Sequence, residues 1–267
     1  MAMIFTAAVL AILSPLRLPA QGFGFAYYDV DRLYDTEPSL FYNDSDYTPD
    51  GRLHWNAERY ERKAGRIAAV LDSMAMPVVA LYGVENEQTV RDIVTRSRLD
   101  YSYIHRTMNT FDGLDFALLY YGDLLFPIDI ECDRNSLTVK ALVDGRETVF
   151  VLLRRGRYLD DILDDLRQSH PNSTIVAAGT LPDSNAATAG FRDVMAKAER
   201  SGHGNALYSD GWRMDGRIWV SGAETTDGEV FVRRWLLDRK GAPAATYEAT
   251  EYRGGTSRRL PVWCLIR

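Results

Sequence analysis

Two apolar runs, SLTVKALV (Ser136–Val143) and ETVFVLLR (Glu147–Arg154), are separated only by Asp144-Gly145-Arg146. Asp-Gly between alternating apolar residues is a hairpin signal, because its turn needs positive φ at both central positions. A link this short cannot form the crossover that parallel neighbours require, so the two runs must pair antiparallel. That argues against a doubly wound, all-parallel sheet. Other strand-like runs lie on both sides: Phe23–Thr36, YSYIHRT and LDFALLYY before the hairpin, then STIVAAG, GRIWVSGA, GEVFVRRWLLD and RRLPVWCLIR after it. Helical patterns fall between them. Sheets packed face to face, with helices outside, satisfy that alternation.

The helical segments are legible from their spacing. Trp55–Leu71 is a basic amphipathic stretch with Trp55, Tyr60, Ile67, Val70 and Leu71 on its apolar side. It leads into PVVALYGVEN (Pro77–Asn86), a buried strand ending in a polar tip, and Asn86-Glu87 can start a helix through Ser97. Arg157–Ser169 carries Leu159, Ile162, Leu163 and Leu166 on one side. AATAGFRDVMAKAERSG reads as a further helix closed by Gly202. No internal repeat, low-complexity tract or Pro/Ser linker divides the chain, so one domain is expected over 22–267.

Composition sets outer limits. With 46% hydrophobic and 25% charged residues, the chain has ample material for a core. Its net charge of -6 argues against an extended nucleic-acid surface, which needs clustered Lys and Arg. Residues 1–21 pair an apolar segment, Met3–Leu13, with small residues near Ala20, the pattern of a signal peptide for export to a bacterial periplasm or envelope. A membrane tether or an ordinary helix are the other readings; the segment is too short for a resident span. Cys132 and Cys264 can form one disulfide if the chain is exported, or stay two buried thiols.

Taken in order, a series of short motifs resembles the endonuclease/exonuclease/phosphatase family, the pancreatic-deoxyribonuclease-like proteins, in its exported bacterial branch. Tyr27-Tyr28-Asp29-Val30-Asp31-Arg32-Leu33-Tyr34-Asp35 is similar to that branch's opening strand, F-Y-N-V-E-N-L-F-D. Tyr47-Thr48-Pro49-Asp50-Gly51, the W-x3-R-Y-x2-K helix (Trp55, Arg59, Tyr60, Lys63) and Ala80–Asn86 follow. Gly113–Tyr120 looks like G-I-D-V-A-L-L-Y, Phe150-Val151 like the start of F-V-N-H-W-P-S-R, and Gly179 like the start of G-D-F-N-D. Gly254–Ser257 with Leu260-Pro261-Val262 is similar to G-G-Y-S-D-H-L-P-V. The resemblance covers nearly the whole mature chain and implies a four-layer αββα sandwich of two mainly antiparallel sheets with outer helices.

It also implies metal-dependent phosphoester cleavage, and there the residues depart from the pattern. The metal-binding Glu falls on Gly83, and the first-strand Asn on Asp29. The Asn-His pair falls on Leu152-Leu153, the Asp and Asn of G-D-F-N-D on Thr180 and Pro182, and the terminal Asp-His on Arg258-Arg259. No obvious base, phosphate clamp or metal cage is left. The expectation is therefore a catalytically degenerate protein, needing no cofactor, whose cleft mouth at Arg154, Arg155, Arg258 and Arg259 binds an anionic ligand or a protein partner. The alternatives are a working phosphoesterase with a relocated site, and a structural envelope or assembly protein. A relocated site would use Asp29, Asp31 and Glu85, with Asp183 or Asp215 joining them around Mg2+ or Mn2+. It presumes that Glu85 shares a strand face with Gly83, and Asp29 with Asp31. The contrary possibility is that these carboxylates are solvated strand ends paired with Arg258, Arg259 or Arg217. His54, His105, His170 and His203 show no metal-ligand spacing.

Overall fold

The computed structural model describes residues 22–154, 159–181 and 190–267. The expected signal segment, Arg155, Arg157, Pro182 and Asp183 lie outside them.

The chain enters through β1 (Phe23–Leu33) and reaches β2 (Val78–Val84) by way of α1 (Ala57–Met74). Then come α2 (Glu87–Arg96), β3 (Tyr101–His105), β4 (Asp115–Tyr121), β5 (Leu125–Cys132), β6 (Ser136–Val143) and β7 (Arg146–Leu153). α3 (Leu159–Ser169) leads to β8 (Thr174–Thr180), β9 (Arg192–Asp193) and α4 (Ala196–Arg200). The last part comprises β10 (Ala206–Tyr208), β11 (Gly211–Arg213), β12 (Gly216–Ser221), β13 (Glu229–Val230), β14 (Tyr247–Glu248), β15 (Glu251–Tyr252) and β16 (Val262–Ile266).

Two six-stranded sheets form, in the orders β13-β16-β1-β2-β4-β3 and β5-β6-β7-β8-β12-β9. All neighbours are antiparallel except β1 with β2 and β7 with β8. A parallel pair needs a long crossover, and these two use α1 and α3. The Asp144-Gly145 turn joins β6 to β7 in register, with both residues at positive φ (48° and 75°). The sheets face each other across one core, where Phe25 stacks on Phe150 at 5.7 Å. α1 and α2 cover the first sheet and α3 the second. This is the αββα sandwich that the motifs implied.

Local chemistry explains the helix boundaries. The Asn56 side chain caps α1 by accepting from the Arg59 N–H, and Ala75 ends it in the left-handed conformation. Asn86 caps α2 in a capping box with Thr89. All five residues expected on the apolar side of the first helical stretch are buried, although Trp55 precedes the helix proper.

Three expectations are corrected. The helix proposed through Phe191–Met195 is absent: Phe191 is buried in the outer core, and Arg192-Asp193 pair with Val220 and Trp219 as β9. Among the described residues of that stretch only Ala196–Arg200 is helical, and residues 186–189 of the expected helix lie outside them. The long strand proposed over GEVFVRRWLLD shrinks to Glu229-Val230, because the chain turns into a single 3-10 turn at Arg234–Leu236. Both cysteines are free, and only Cys264 is buried; Cys132 is exposed at the end of β5. Among the described residues no helix is long and apolar enough to cross a membrane.

Candidate functional site

The carboxyl ends of β1, β2, β7 and β8 meet at one rim of the sandwich, and a cleft of about 350 Å3 opens between them. Its walls carry Asp29, Asp31 and Arg32 from β1, Tyr82 and Gly83 from β2, Arg154 after β7 and Thr180 from β8. Asp112 and Leu114 close one side, and Arg258 and Arg259 the other. At its base the Tyr27 hydroxyl lies 3.3 Å from the Thr180 hydroxyl, a hydrogen bond between the two sheets.

β1 does not stay regular as it reaches this rim. Its pairing with β2 shifts register between Asp29 and Leu33, and Asp31 and Arg32 adopt left-handed φ values of 53° and 65°. Non-glycine residues seldom sit there without support. Lys63, buried on α1, supplies it: its ammonium donates to the carbonyls of Asp31 (2.6 Å) and Arg32 (3.0 Å). Burial draws the Lys63 pKa down to about 8, against the pull of Asp31. The Asp29 carboxylate accepts from the Asp31 N–H at 2.8 Å, completing the bulge.

Each carboxylate of the bulge is held by arginine. Arg258 grips Asp31 with two parallel bonds, Nε to Oδ2 at 3.0 Å and Nη2 to Oδ1 at 2.9 Å. Arg259 lies between Asp29 (3.3 Å) and Asp215 (3.1 Å), and Asp215 also accepts from the Tyr208 hydroxyl at 2.6 Å. Burial pushes the Asp29 pKa up despite Arg259. Burial acts on Asp31 in the same direction and is the largest single influence, but the Arg258 bonds together with the charges of Lys63, Arg258 and Arg259 outweigh it, and its pKa falls. Opposite them, Arg154 donates to the Tyr82 hydroxyl at 2.9 Å and pairs with Asp112. Arg32 is exposed beside Tyr47. Four arginines thus face three aspartates around the cleft.

Of the residues singled out in the sequence, Asp29, Asp31, Arg154, Arg258 and Arg259 come together here, and Asp215 reaches them through Arg259. Arg155 and Asp183 lie outside the described residues. Glu85 does not join. The expectation that it shares a face with Gly83 fails because Gly83 has φ 91°, and the β2–β4 register shifts between Tyr82 and Val84. Glu85 turns instead to the loop after β1, accepting from the Asp35 N–H (2.5 Å) and the Tyr42 hydroxyl (2.6 Å). Asp29 and Asp31 are likewise not one face of a regular strand; the left-handed bulge brings both to the cleft. They are not solvated ends either, for Asp29 is buried and the Asp31 side chain is 9% exposed, but they do pair with Arg258 and Arg259 as the contrary possibility had it. Arg217 pairs elsewhere, with Asp193 (2.6 Å) and Glu199 (2.5 Å).

Sequence reasoning gave no role to Arg32, Tyr82 or Asp112, whose only signal was adjacency to matched motif positions. It also missed a buried pair between His105 and Asp115 (3.2 Å), where Asp115 further accepts from the Met108 N–H.

The divalent metal that the motif resemblance implies does not fit these residues. A Cβ built on Gly83 would lie 3.2 Å from the Arg32 nitrogen, on backbone that side chains rarely adopt. Asp29 and Asp31 already have guanidinium counter-charges. Among the described residues no three His, Cys, Asp or Glu groups converge as a metal-binding set.

The fold has many solved counterparts. It is similar to humanised Danio rerio TDP2 (12% identity, 92% of this chain and 99% of that one, TM-score 0.60). It is also similar to an endonuclease/exonuclease/phosphatase from Bacteroides vulgatus (9% identity, 92% and 99%, TM-score 0.61). A third is a mannosyl-6-phosphatase from Bacteroides thetaiotaomicron (13% identity, 92% and 99%, TM-score 0.60). At such identities the likeness establishes the fold alone. No curated protein matches the sequence. The model of the endonuclease/exonuclease/phosphatase family matches residues 24–158, just over half of the sequence. The chain belongs to that family.

Proposed function

We propose that this protein is a catalytically degenerate member of its family, and that the cleft between its sheets binds an anionic group through Arg32, Arg154, Arg258 and Arg259. The observation that carries this reading is the Arg258–Asp31 and Arg259–Asp29 pairing beside Gly83. Where relatives that cleave phosphoesters need a metal, this chain supplies its own cations. A guanidinium has five N–H donors. Arg258 spends two of them on Asp31, and Arg154 one on Tyr82 and one on Asp112. The remaining donors match the oxygens of a phosphate or carboxylate, whose charge the cleft's excess arginine complements. Export to a periplasm or envelope belongs to the same proposal and rests on the Met3–Leu13 and Ala20 pattern.

The alternative, a phosphoesterase with a rebuilt site at Asp29, Asp31 and Glu85, has no support from the direction in which Glu85 turns. Calorimetric titration of Mg2+ and Mn2+, with hydrolysis of p-nitrophenyl phosphate and its bis-ester on the same sample, separates the two. We expect no metal-dependent turnover, and pyrophosphate binding that weakens at least tenfold in Arg154→Ala. Turnover that requires metal and disappears in Asp29→Asn would overturn the proposal.

A further inference from the structure

A second cleft, about 710 Å3 in volume and mostly apolar, lies on the other side of the β10–β11 hairpin and uses none of the arginines described above. One wall is the edge strand β13. Others are α4 with the loop after it, the exposed Trp212 of β11, and Leu237 and Leu260.

The main chain of β13 makes this cleft more than an apolar hollow. Among the described residues β13 pairs only with β16, Glu229 opposite Trp263 and Val230 opposite Val262. In an antiparallel ladder, opposed residues alternate between exchanging hydrogen bonds and turning their amides away. The Phe231 N–H donates to the Pro261 carbonyl at 2.8 Å, so Phe231 and Glu229 are the inward-bonded residues. Gly228, Val230 and Val232 therefore direct N–H and C=O to the free edge. At Gly228 that edge is closed, its N–H donating to the Val194 carbonyl at 2.6 Å. Two residues on it is open. Outside the ladder with β16, the Val230 N–H and C=O make no backbone bond among the described residues, and the Val232 carbonyl accepts from the Arg233 side chain. Open edges of this kind are normally covered or blunted by charge.

The cleft also presents one carboxylate outside its ion pairs. Asp227 is neutralised by Arg192 and Lys197. The exposed Glu229 carboxylate has no ion pair among the described residues.

We propose that this cleft is a strand-addition site for a partner protein: an extended peptide with apolar residues at alternate positions and one Lys or Arg. Its main chain continues the sheet at Val230 and Val232, its apolar side chains enter between Trp212, Leu237 and Leu260, and its cation faces Glu229. Main-chain bonds supply affinity in such recognition, and the alternate-side-chain pockets supply selectivity. This site is separate from the arginine cleft, so either proposal can fail without the other.

The test is to pan a random-peptide display library on the folded protein and synthesise the peptides it enriches. We expect alternating apolar sequences with a basic residue, and amide-exchange protection at Val230 and Val232 on binding. N-methylation of alternate peptide amides should weaken binding at least tenfold, and Glu229→Lys should switch the preference to an acidic residue. Val230→Pro removes the outward N–H, together with a side chain that packs on the core, and should also cost at least tenfold; if it does not fold, Trp212→Ala on the exposed hairpin serves instead. Failure to enrich peptides would overturn the proposal. So would binding indifferent to N-methylation, or protection that maps to the arginine cleft.

Discussion

Glu85 was the residue on which a rebuilt catalytic site would have depended, and its surroundings predict a different behaviour. The residue is 4% exposed, and its carboxylate faces Tyr42 and the Asp35 amide, with the Asp35 and Asp44 carboxylates nearby. Burial raises its pKa from 4.5 to about 7, although the Tyr42 and Asp35 bonds oppose the rise. An acid whose pKa is higher in the folded state holds its proton more tightly there. Its contribution to stability is complete below pH 4.5, declines as pH climbs, and is gone above about 7. Each pKa unit corresponds to about 1.4 kcal/mol, so the full swing is on the order of 3 kcal/mol. Glu85→Gln removes the titration and keeps the contacts: its carbonyl can accept from Asp35 and its amide can donate to the Tyr42 oxygen. Urea unfolding of both proteins at pH 5, 6, 7 and 8 gives the difference curve, in which other titrating groups largely cancel. The variant should gain on the wild type by about 2–3 kcal/mol between pH 5 and 8. A flat difference, or a gain in the opposite direction, would refute the reasoning. Loss of a metal-dependent activity in the variant would return Glu85 to the catalytic reading.

Two further substitutions probe the bulge. Gly83→Glu, which restores the family's metal-binding residue type, should create no Mg2+ site by calorimetry and should destabilise by about 1–2 kcal/mol, the cost of a side chain in left-handed backbone. Measurable Mg2+ binding in that variant would mean the rim can still be returned to a metal site. Lys63→Met should destabilise by about 2–4 kcal/mol in urea unfolding, because the Asp31 and Arg32 carbonyls lose their buried donor. A near-neutral result would show that the bulge holds without Lys63.

Much of the architecture was legible because strand and helix periods differ and the motif order was intact. The Asp144-Gly145 turn alone fixed one antiparallel pair, and the apolar spacing around Ile67 and Leu71 fixed which side of α1 is buried. The site was legible as a set of residue types: Asp29, Asp31, Arg154, Arg258 and Arg259 were identified and do converge. Their geometry was not. Period-two reasoning assumes an unbroken strand, and neither β1 at Asp31-Arg32 nor β2 at Gly83 is unbroken. The same assumption lengthened GEVFVRRWLLD, where β-branched and aromatic residues in fact flank a turn. Lys63 was visible as the last residue of the W-x3-R-Y-x2-K motif, but its role was hidden, since a lysine on an amphipathic helix ordinarily reads as surface until its partners are seen.

The left-handed rim at Gly83 also bears on what this protein can become. On the proposed reading, recovery of a metal would need a carboxylate at position 83 on backbone of the wrong hand, together with removal of the two arginines now cancelling Asp29 and Asp31. Taking the arginines first strands two buried charges; adding the carboxylate first strains the backbone and introduces a third. Every single step toward a metal site therefore passes through a less stable protein. If the cleft binds an anion as proposed, steps that adjust which anion the arginines grip carry no such barrier. On that reading, descendants of this sequence should diversify in what the cleft holds far more readily than they acquire a metal site.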